Sequence, residues 1–319
     1  MKPLNPSELR GVWVSVLLPI QKDESIDFSL LREEVDILIE TGINGIYTNG
    51  TAGEFYNQTE EEFDLITEIV AERCERAGVP FQIGASALHP IVSLRRLRRA
   101  KYVSPGAIQV VLPDWVPLTR DEIIVFLKRM AEEADPIGLV LYLPPWAKTP
   151  LFSPEDLARL CQEVPSLIGI KVGRVDPGWL QAAAQQAPGL AIFVSGLMLA
   201  TGLRLGARGS YSVVATLNPW AAKAWYDQML VDIDHATELE QRIQQFWQKN
   251  IEPLRTQGYA AHAIDKLLVA VGGWMPLSTR MRWPYRSIPQ NEAERLRPIA
   301  REMLPEFFSK RATVDREGR

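Results

Sequence analysis

The sequence is poor in the residues that build disulfide frameworks and metal centres. Its 319 residues include only two cysteines, Cys74 and Cys161, and three histidines. Both cysteines fall in helical patterns far apart in the chain, so we expect no disulfide framework and a reducing, cytoplasmic location. The histidines, His89, His235 and His262, have no metal-ligand spacing, and we therefore expect no metal site.

Long apolar runs are also missing. The segment from Ile137 to Trp146 is among the longest uncharged runs, and Pro144-Pro145 interrupts it well short of a membrane span. The first eight residues have no apolar leader core, so we expect no secretory signal. A net charge of −4 argues against nucleic-acid or basic membrane-binding surfaces. The basic run 95–101 lacks aromatic or glycine-rich neighbours and indicates a solvated helix face or a subunit contact.

The chain does have a regular alternation of short apolar runs and amphipathic helical patterns. The predicted strands cover residues 11–19, 45–49, 81–85, 107–112, 138–142, 166–173, 190–194 and 209–214. Eight such units in series predict a parallel sheet that closes into a (β/α)8 TIM barrel. A doubly wound sheet would want a glycine-rich nucleotide loop after its first strand, and here that strand is followed by Leu18-Pro19-Ile20-Gln21.

The strand signals stop near Pro219, and helical patterns take over. They cover residues 233–254, 260–271 and 291–308. We predict a barrel over residues 1–230 and a C-terminal helical extension packed on it over residues 231–309. The polar residues 310–319 are expected to form a frayed tail.

A lysine closes the apolar sequence SLIGIKVG at residues 166–173. A charged ammonium is costly to desolvate there, so Lys171 is either paired, solvated, or partly neutralised by a lowered pKa. A neutral lysine amine is the nucleophile that Schiff-base enzymes use on carbonyl substrates. The alternative is an edge-strand lysine that points into water. Reactive groups of barrels lie at the carboxyl ends of strands, and this position favours the catalytic interpretation.

The same rule selects the other candidates. Tyr142 ends the fifth strand and has a phenol that can transfer protons to a carbinolamine, although it can also be a core tyrosine. Thr51, otherwise an ordinary turn residue, has a hydroxyl that can orient this phenol. The main chain of Thr51, Ala52 and Gly53 can hold a carboxylate, because glycine permits close approach. Candidates for substrate binding are Ala52, Gly53, Trp115 after the fourth strand, and Ser210 and Tyr211 in the eighth.

Three motifs carry a resemblance to a known family: GTAGE at 50–54, Tyr142 followed by Pro144-Pro145, and GIK at 169–171. Together they resemble the dihydrodipicolinate synthase / N-acetylneuraminate lyase family of class I, pyruvate-dependent aldolases. The resemblance covers residues 10–230 in order and spacing. It implies a (β/α)8 barrel, assembled as a homotetramer or homodimer, that forms a Schiff base with pyruvate or another 2-oxo acid.

The resemblance also implies roles for individual residues. Lys171 would be the Schiff-base nucleophile, Tyr142 the general acid/base and Thr51 the relay hydroxyl. The main chain of Thr51-Ala52 would lie near the 2-oxo acid carboxylate, and Glu54 would be structural. The partners would be a small-molecule 2-oxo acid and an aldehyde-type substrate, with no cofactor.

Three departures from the family pattern concern the substrate. Ala52 replaces a second hydroxyl residue, and Trp115, a pocket wall or subunit contact, stands where lysine-biosynthesis enzymes have a relay tyrosine. Ala147, next to Lys148, occupies the place of an arginine that grips a second carboxylate. With Trp146 nearby, these changes indicate an aromatic-lined mouth for a bulkier or less charged electrophile than that of dihydrodipicolinate synthase.

Three functions are therefore considered. The first is a lyase or aldolase that acts on a carbon–carbon or carbon–oxygen bond of a 2-oxo acid through Lys171. The second is a hydratase or dehydratase acting on a sugar-derived 2-oxo acid. The third is a barrel that binds a 2-oxo acid without turnover; Ala52 and Trp115 motivate it, whereas Lys171 and Tyr142 argue against it.

Overall fold

Eight parallel strands close into one barrel in the computed structural model, which describes residues 1–309. The strands are β1 (Gly11–Ser15), β2 (Gly45–Thr48), β3 (Phe81–Gly84), β4 (Ala107–Val111), β5 (Leu139–Tyr142), β6 (Leu167–Lys171), β7 (Ala191–Phe193) and β8 (Gly209–Tyr211). They pair in chain order, and β8 pairs back with β1. The predicted (β/α)8 barrel is confirmed. The prediction for residues 310–319 lies outside the described residues.

Helices follow the strands and continue beyond them. They are α1 (Phe28–Glu40), α2 (Glu60–Ala77), α3 (Pro90–Tyr102), α4 (Arg120–Ala134), α5 (Pro154–Glu163), α6 (Pro177–Gln186), α7 (Leu199–Arg204), α8 (Val213–Leu217), α9 (Pro219–Met229), α10 (Ile233–Phe246), α11 (Glu252–Thr256), α12 (Ala261–Gly272) and α13 (Gln290–Met303). Side-chain caps fix several starts; Thr59 and Thr119 each form a capping box with a glutamate three residues on. Within residues 1–309, no helix has the length and apolarity to cross a membrane.

Several element ends differ from the sequence prediction, for local reasons. The eighth strand ends at Tyr211 rather than 214, because Ser212 caps the short helix α8 that sequence analysis missed. The helix predicted over 233–254 contains a π-helical turn, Trp247–Ile251, before α11. Pro253 lacks the N–H that a regular α-helix would need there. The last predicted helix ends at Met303, because Pro305 cannot continue it.

The basic run at 95–101 on α3 forms ion pairs with neighbouring helices. Arg96 is buried and lies 2.7 Å from Glu60 of α2. Arg99 also pairs with α2, and Arg98 lies 2.6 Å from Glu133 of α4. Part of this run therefore joins three adjacent helices, where we had expected a solvated face or a subunit contact.

The core has two layers, one on each side of the sheet. Inside the barrel, Trp13, Tyr47, Val140 and Phe193 pack together. The larger layer lies between the sheet and the helices, and it includes side chains of the C-terminal helices as well. The division at residue 230 stays a prediction, since the outer layer is continuous across it.

A buried ion pair joins the loop after β2 to α12. Lys266 Nζ lies 2.6 Å from Glu54 Oε1, and the two side chains are 0% and 1% exposed. Lys266 also donates to the Arg280 carbonyl at 2.8 Å. Burial lowers the pKa of Lys266, and the Glu54 carboxylate opposes that shift. The pair therefore fixes the GTAGE loop against the helix that passes over the barrel mouth.

Removing one member of this pair should destabilise the fold strongly. For Lys266→Met we expect a loss of about 3–5 kcal/mol, because the Glu54 carboxylate stays buried without its partner. Lys223→Met is the matched control; it breaks a partly exposed pair with Asp227 and should cost under about 1 kcal/mol. Urea denaturation measures both. Equal losses in the two variants would contradict a structural role for the buried pair.

Candidate active site

Lys171 ends β6 and projects into the upper barrel, where three tyrosine rings surround its amine. Nζ lies 4.1 Å from the ring centre of Tyr142, 4.9 Å from Tyr211 and 5.5 Å from Tyr47. Within residues 1–309, the amine has no hydrogen-bond or ion-pair partner, and the side chain keeps a small exposed fraction. The amine is therefore held largely out of water while still accessible to a small ligand.

This environment changes the protonation of the amine. Burial lowers the pKa of Lys171 from 10.5 to about 8, and the negative charge of Asp265 opposes that shift. At pH 7 about one amine in ten is then neutral, compared with about one in three thousand for an ordinary lysine. The structure therefore gives Lys171 the property that a Schiff-base nucleophile needs.

Tyr142 ends β5 and lies in register with Lys171 on the neighbouring strand. Its side chain is 7% exposed. Burial raises the pKa of Tyr142, and Asp265 raises it further, so the phenol is protonated at neutral pH. The structure thus brings together the lysine and the tyrosine selected from the sequence, with the tyrosine in its proton-donating form.

A cleft of about 740 Å³ is lined by Tyr142 and Thr51 but not by Lys171 itself, whose amine lies 4.1 Å from the Tyr142 ring centre. Aromatic residues form much of the wall, among them Phe55, Trp115, Trp146, Tyr259 and Tyr285. Trp115 is 79% exposed, so one face of the wall is open in a single subunit. Whether it forms a pocket wall only, or a subunit contact as well, stays a prediction.

Two basic side chains that line the cleft, Lys148 and Arg255, contact neighbouring protein groups. Lys148 Nζ donates to the Trp115 carbonyl at 3.1 Å and lies 5.5 Å from its ring centre. Arg255 pairs with Glu252 at 3.3 Å. Lys148 has no guanidinium fork, and Glu252 offsets the charge of the partly exposed Arg255, so the basic groups of this wall are balanced by acidic or polar neighbours.

The turn 51–53 offers backbone donors. The N–H groups of Thr51, Ala52 and Gly53 have no acceptor among residues 1–309. Gly53 is buried, and a Cβ there would lie 3.1 Å from the Val16 carbonyl oxygen. The Thr51 hydroxyl also has no partner in this part of the chain, so its relay to Tyr142 is not formed. Ala52 packs against an apolar cluster that includes Leu17.

The two candidates on β8 lie on opposite faces. Tyr211 points into the barrel beside Lys171, and its hydroxyl donates to Gln82 Oε1. Ser210 is fully buried, and strand alternation puts it on the outer face, in register with Val12 of the outer core layer. Tyr211 therefore belongs to the site, whereas the substrate-binding prediction for Ser210 is not supported by its placement.

Sequence analysis missed four polar residues near Lys171. Tyr47 donates to Gln109 Oε1 at 2.5 Å, and Gly50 is required beside it, because a Cβ there would lie 2.1 Å from the Tyr47 hydroxyl. Gln82 is the partner of Tyr211. Alternation along β2, β3 and β4 could have identified these inward positions.

The fourth missed residue, Asp265 of α12, had no sequence signal. It lies far along the chain, in a helix without a recognisable motif. Burial raises the pKa of Asp265 from 3.8 to about 7, and the positive charge of Lys171 opposes that shift. A carboxyl group and an amine that both titrate near neutrality therefore share this site.

The structure thus combines a (β/α)8 barrel with a lysine that ends the sixth strand and a tyrosine that ends the fifth. Residues 8–303 match the model of the dihydrodipicolinate synthetase family, and the chain belongs to that family. The predicted family and the prediction of a lyase are confirmed. Membership supports a pyruvate-dependent class I aldolase.

Individual relatives are similar over most of their length. An uncharacterised DapA-like lyase of Halobacterium salinarum is 29% identical over 225 residues, covering 70% of this chain and 73% of the relative. An N-acetylneuraminate lyase of Rhizobium meliloti is 28% identical over 206 residues, covering 64% and 67%. The crystal structure of YagE from E. coli K12 in complex with pyruvate has a TM-score of 0.80 at 20% identity, covering 92% and 98%. This last similarity concerns the fold.

The lowered pKa of Lys171 is directly measurable. We expect trace acetylation of Lys171, followed by peptide mass spectrometry, to reach half its maximum near pH 8 in the folded protein. In the denatured chain the same lysine should titrate near 10.5, because burial is lost. The denatured sample is the matched control. A midpoint near 10.5 in both states would show that the barrel does not desolvate the amine.

Proposed function

We propose that this protein is a class I lyase that makes or breaks a carbon–carbon or carbon–oxygen bond of pyruvate or a substituted 2-oxo acid. The observation that carries the proposal is the Lys171 amine, 4.1 Å from the Tyr142 ring and largely shielded from water at the barrel mouth. Family membership supports the same class of chemistry. The lysine acts as the electron sink, so the proposed reaction uses no cofactor.

The proposed chemistry starts with attack of the neutral Lys171 amine on the C2 carbonyl. The new C–N bond gives a carbinolamine, and loss of its oxygen as water leaves a protonated iminium. Removal of a C3 proton then gives an enamine, which adds to the carbonyl carbon of an aldehyde; the reverse sequence is cleavage. Tyr142 is protonated at neutral pH; it donates its proton to the C2 oxygen as the amine adds to the carbonyl, and it regains one from the nitrogen of the carbinolamine.

The carboxylate of the 2-oxo acid would lie at the turn after β2. The free N–H groups of Thr51, Ala52 and Gly53 can bind it, as successive backbone amides do in anion sites. Thr51 adds a hydroxyl at the cleft wall, whereas Ala52 supplies only its main chain. We therefore assign these residues, with Tyr211, to substrate binding.

The second substrate would occupy the aromatic part of the cleft. Trp115 and Trp146 expose 79% and 56% of their surface, and Ala147 leaves no arginine for a second carboxylate. We infer a bulky or weakly charged aldehyde. We also propose a homotetramer or homodimer in which Trp115 lies beside the cleft, and a cytoplasmic location. A hydratase or dehydratase would share the Schiff base and differ only in later steps.

Trapping with pyruvate tests the Schiff base. Intact mass after sodium borohydride treatment with pyruvate should show one reduced adduct per chain, located at Lys171 by peptide mapping. Lys171→Arg keeps the positive charge but has no nucleophilic amine, so it should give none. An adduct that persists in this variant, or no adduct with pyruvate or any longer 2-oxo acid, would reject the proposal. In the latter case a binding barrel without turnover is the better interpretation.

Tyr142→Phe tests the acid/base role. We expect adduct formation to slow by about 100-fold or more, since general acid–base groups contribute about 10²- to 10⁴-fold. Tyr226→Phe, remote on α9, is the control for a buried tyrosine outside the barrel interior. Quenched-flow trapping at pH 7 measures all three proteins. Equal rates in wild type and Tyr142→Phe would remove Tyr142 from the mechanism.

A further inference from the structure

We propose that Asp265 is a second acid/base residue of this site, delivered by α12, and that it exchanges a proton with the oxygen and the C3 carbon of the bound 2-oxo acid. This inference rests on the proposed Schiff-base function. It adds a residue of the C-terminal helices to the chemistry of the barrel strands.

The fold holds this turn of α12 over the barrel mouth from two sides. His262, one turn before Asp265, lines the cleft and shares a 2.5 Å hydrogen bond with Tyr56. Lys266, the next residue, is fixed by Glu54 at 2.6 Å and by the Arg280 carbonyl. Residues three apart share a helix face, so Asp265 stands on the same side of α12 as His262. Asp265 is not itself among the residues that line the cleft, but its charge acts on Tyr56 and Tyr142, which are.

The carboxylate of Asp265 has no direct polar partner in the part of the chain that the structure describes. Its side chain is partly buried, yet among residues 1–309 it has neither a hydrogen bond nor an ion pair. Buried and half-buried carboxylates are otherwise engaged, as Glu54 is with Lys266. An unpaired, half-buried carboxylate lowers the stability of the fold. Such groups are typical of catalytic sites.

The negative charge of Asp265 acts on titratable groups of three elements, Lys171 on β6, Tyr142 on β5 and Tyr56 after β2, and raises the pKa of each. Lys266, the residue after Asp265, forms an ion pair with Glu54, so the charges of these two side chains offset one another. Asp265 is therefore in electrostatic reach of both the proposed nucleophile and the proposed phenol acid.

A carboxyl group complements Tyr142, because the phenol alone is a poor base. Burial and Asp265 keep the pKa of Tyr142 well above neutrality, whereas that of Asp265 is about 7. Groups that titrate near the working pH serve best as both acid and base. We assign to the Asp265 carboxyl the donation of a proton to the C2 oxygen, which then leaves the carbinolamine as water. The C–O bond breaks, the nitrogen lone pair forms C=N⁺, and the resulting carboxylate pairs with the iminium.

The same carboxylate then removes a proton from C3. The C–H electrons form the enamine, and the positive charge on nitrogen is lost. The proton held by Asp265 passes to the oxygen of the aldehyde as the new C–C bond forms. At this point Asp265 is a carboxylate and the product is still joined to Lys171 as an iminium. The water released earlier, or one from solvent, adds to C2 and gives a proton to Asp265, and collapse of this carbinolamine to the carbonyl moves its hydroxyl proton to nitrogen. Lys171 is then again a neutral amine and Asp265 a carboxylic acid, as at the start.

Exchange of the pyruvate methyl protons in D₂O isolates this step, since it needs no aldehyde. Wild type should exchange them, with a rate per trapped adduct that rises with pH through about 7 as the carboxylate forms. Asp265→Asn should trap pyruvate more slowly, because it lacks the acid for water loss, but the adduct should still form, since losing the anion lowers the pKa of Lys171 further. Its exchange per adduct should fall by about 100-fold and lose the pH dependence. Asp265→Glu should recover part of the rate.

The controls separate three outcomes. Asp234→Asn removes an exposed carboxylate on α10 and should leave exchange unchanged. If wild type traps no pyruvate, the Schiff-base function itself fails. If trapping occurs and Asp265→Asn exchanges like wild type, Asp265 has no acid/base role. If Asp265→Asn does not fold, the proposal is tested by the pH dependence of exchange in wild type and by the exchange rate of Asp265→Glu. A wild-type exchange rate per adduct that does not change with pH overturns the proposal.

Discussion

The low polarity around one amine is the constraint on which the rest of this site depends. Lys171 is surrounded by the rings of Tyr47, Tyr142 and Tyr211, and the negative charge of Asp265 acts on its amine. Aromatic faces attract a cation only weakly compared with water, so the amine gives up its proton more easily. Inside the barrel the hydroxyls of Tyr47 and Tyr211 donate to Gln109 and Gln82, whereas the Nε2 atoms of both glutamines have no partner among residues 1–309.

Much of this arrangement follows from strand order and is predictable from sequence. Eight alternating units predict the barrel, and the barrel puts the last residues of β5 and β6 side by side, which selects Tyr142 and Lys171. The two-residue period of strands then decides which neighbours point inward. The same period places Ser210, a substrate-binding candidate of the sequence analysis, on the outer face of the barrel, next to the inward Tyr211.

Asp265 and the Glu54–Lys266 pair could not be predicted in this way. Each depends on where a helix beyond the eighth strand crosses the barrel mouth, and helix packing angles are not contained in a local pattern. The motif glutamate Glu54 was expected to be structural, but its partner lies 212 residues further along the chain. Contacts of this length come from the assembled fold. The short helix α8 was missed for a related reason, since the short, mostly apolar sequence VVATL suits a strand equally well.

The π-helical turn between α10 and α11 has a consequence for the cleft wall. Glu252, Arg255 and Thr256 follow this turn directly and face the cleft. A π-turn accommodates one extra residue, and one residue corresponds to about 100° of rotation around a helix axis. A single insertion or deletion at 247–251 would thus present a different set of side chains to the ligand while leaving every strand unchanged. The wall of the cleft can therefore change through the rotation of one helix alone, independently of the residues inside the barrel.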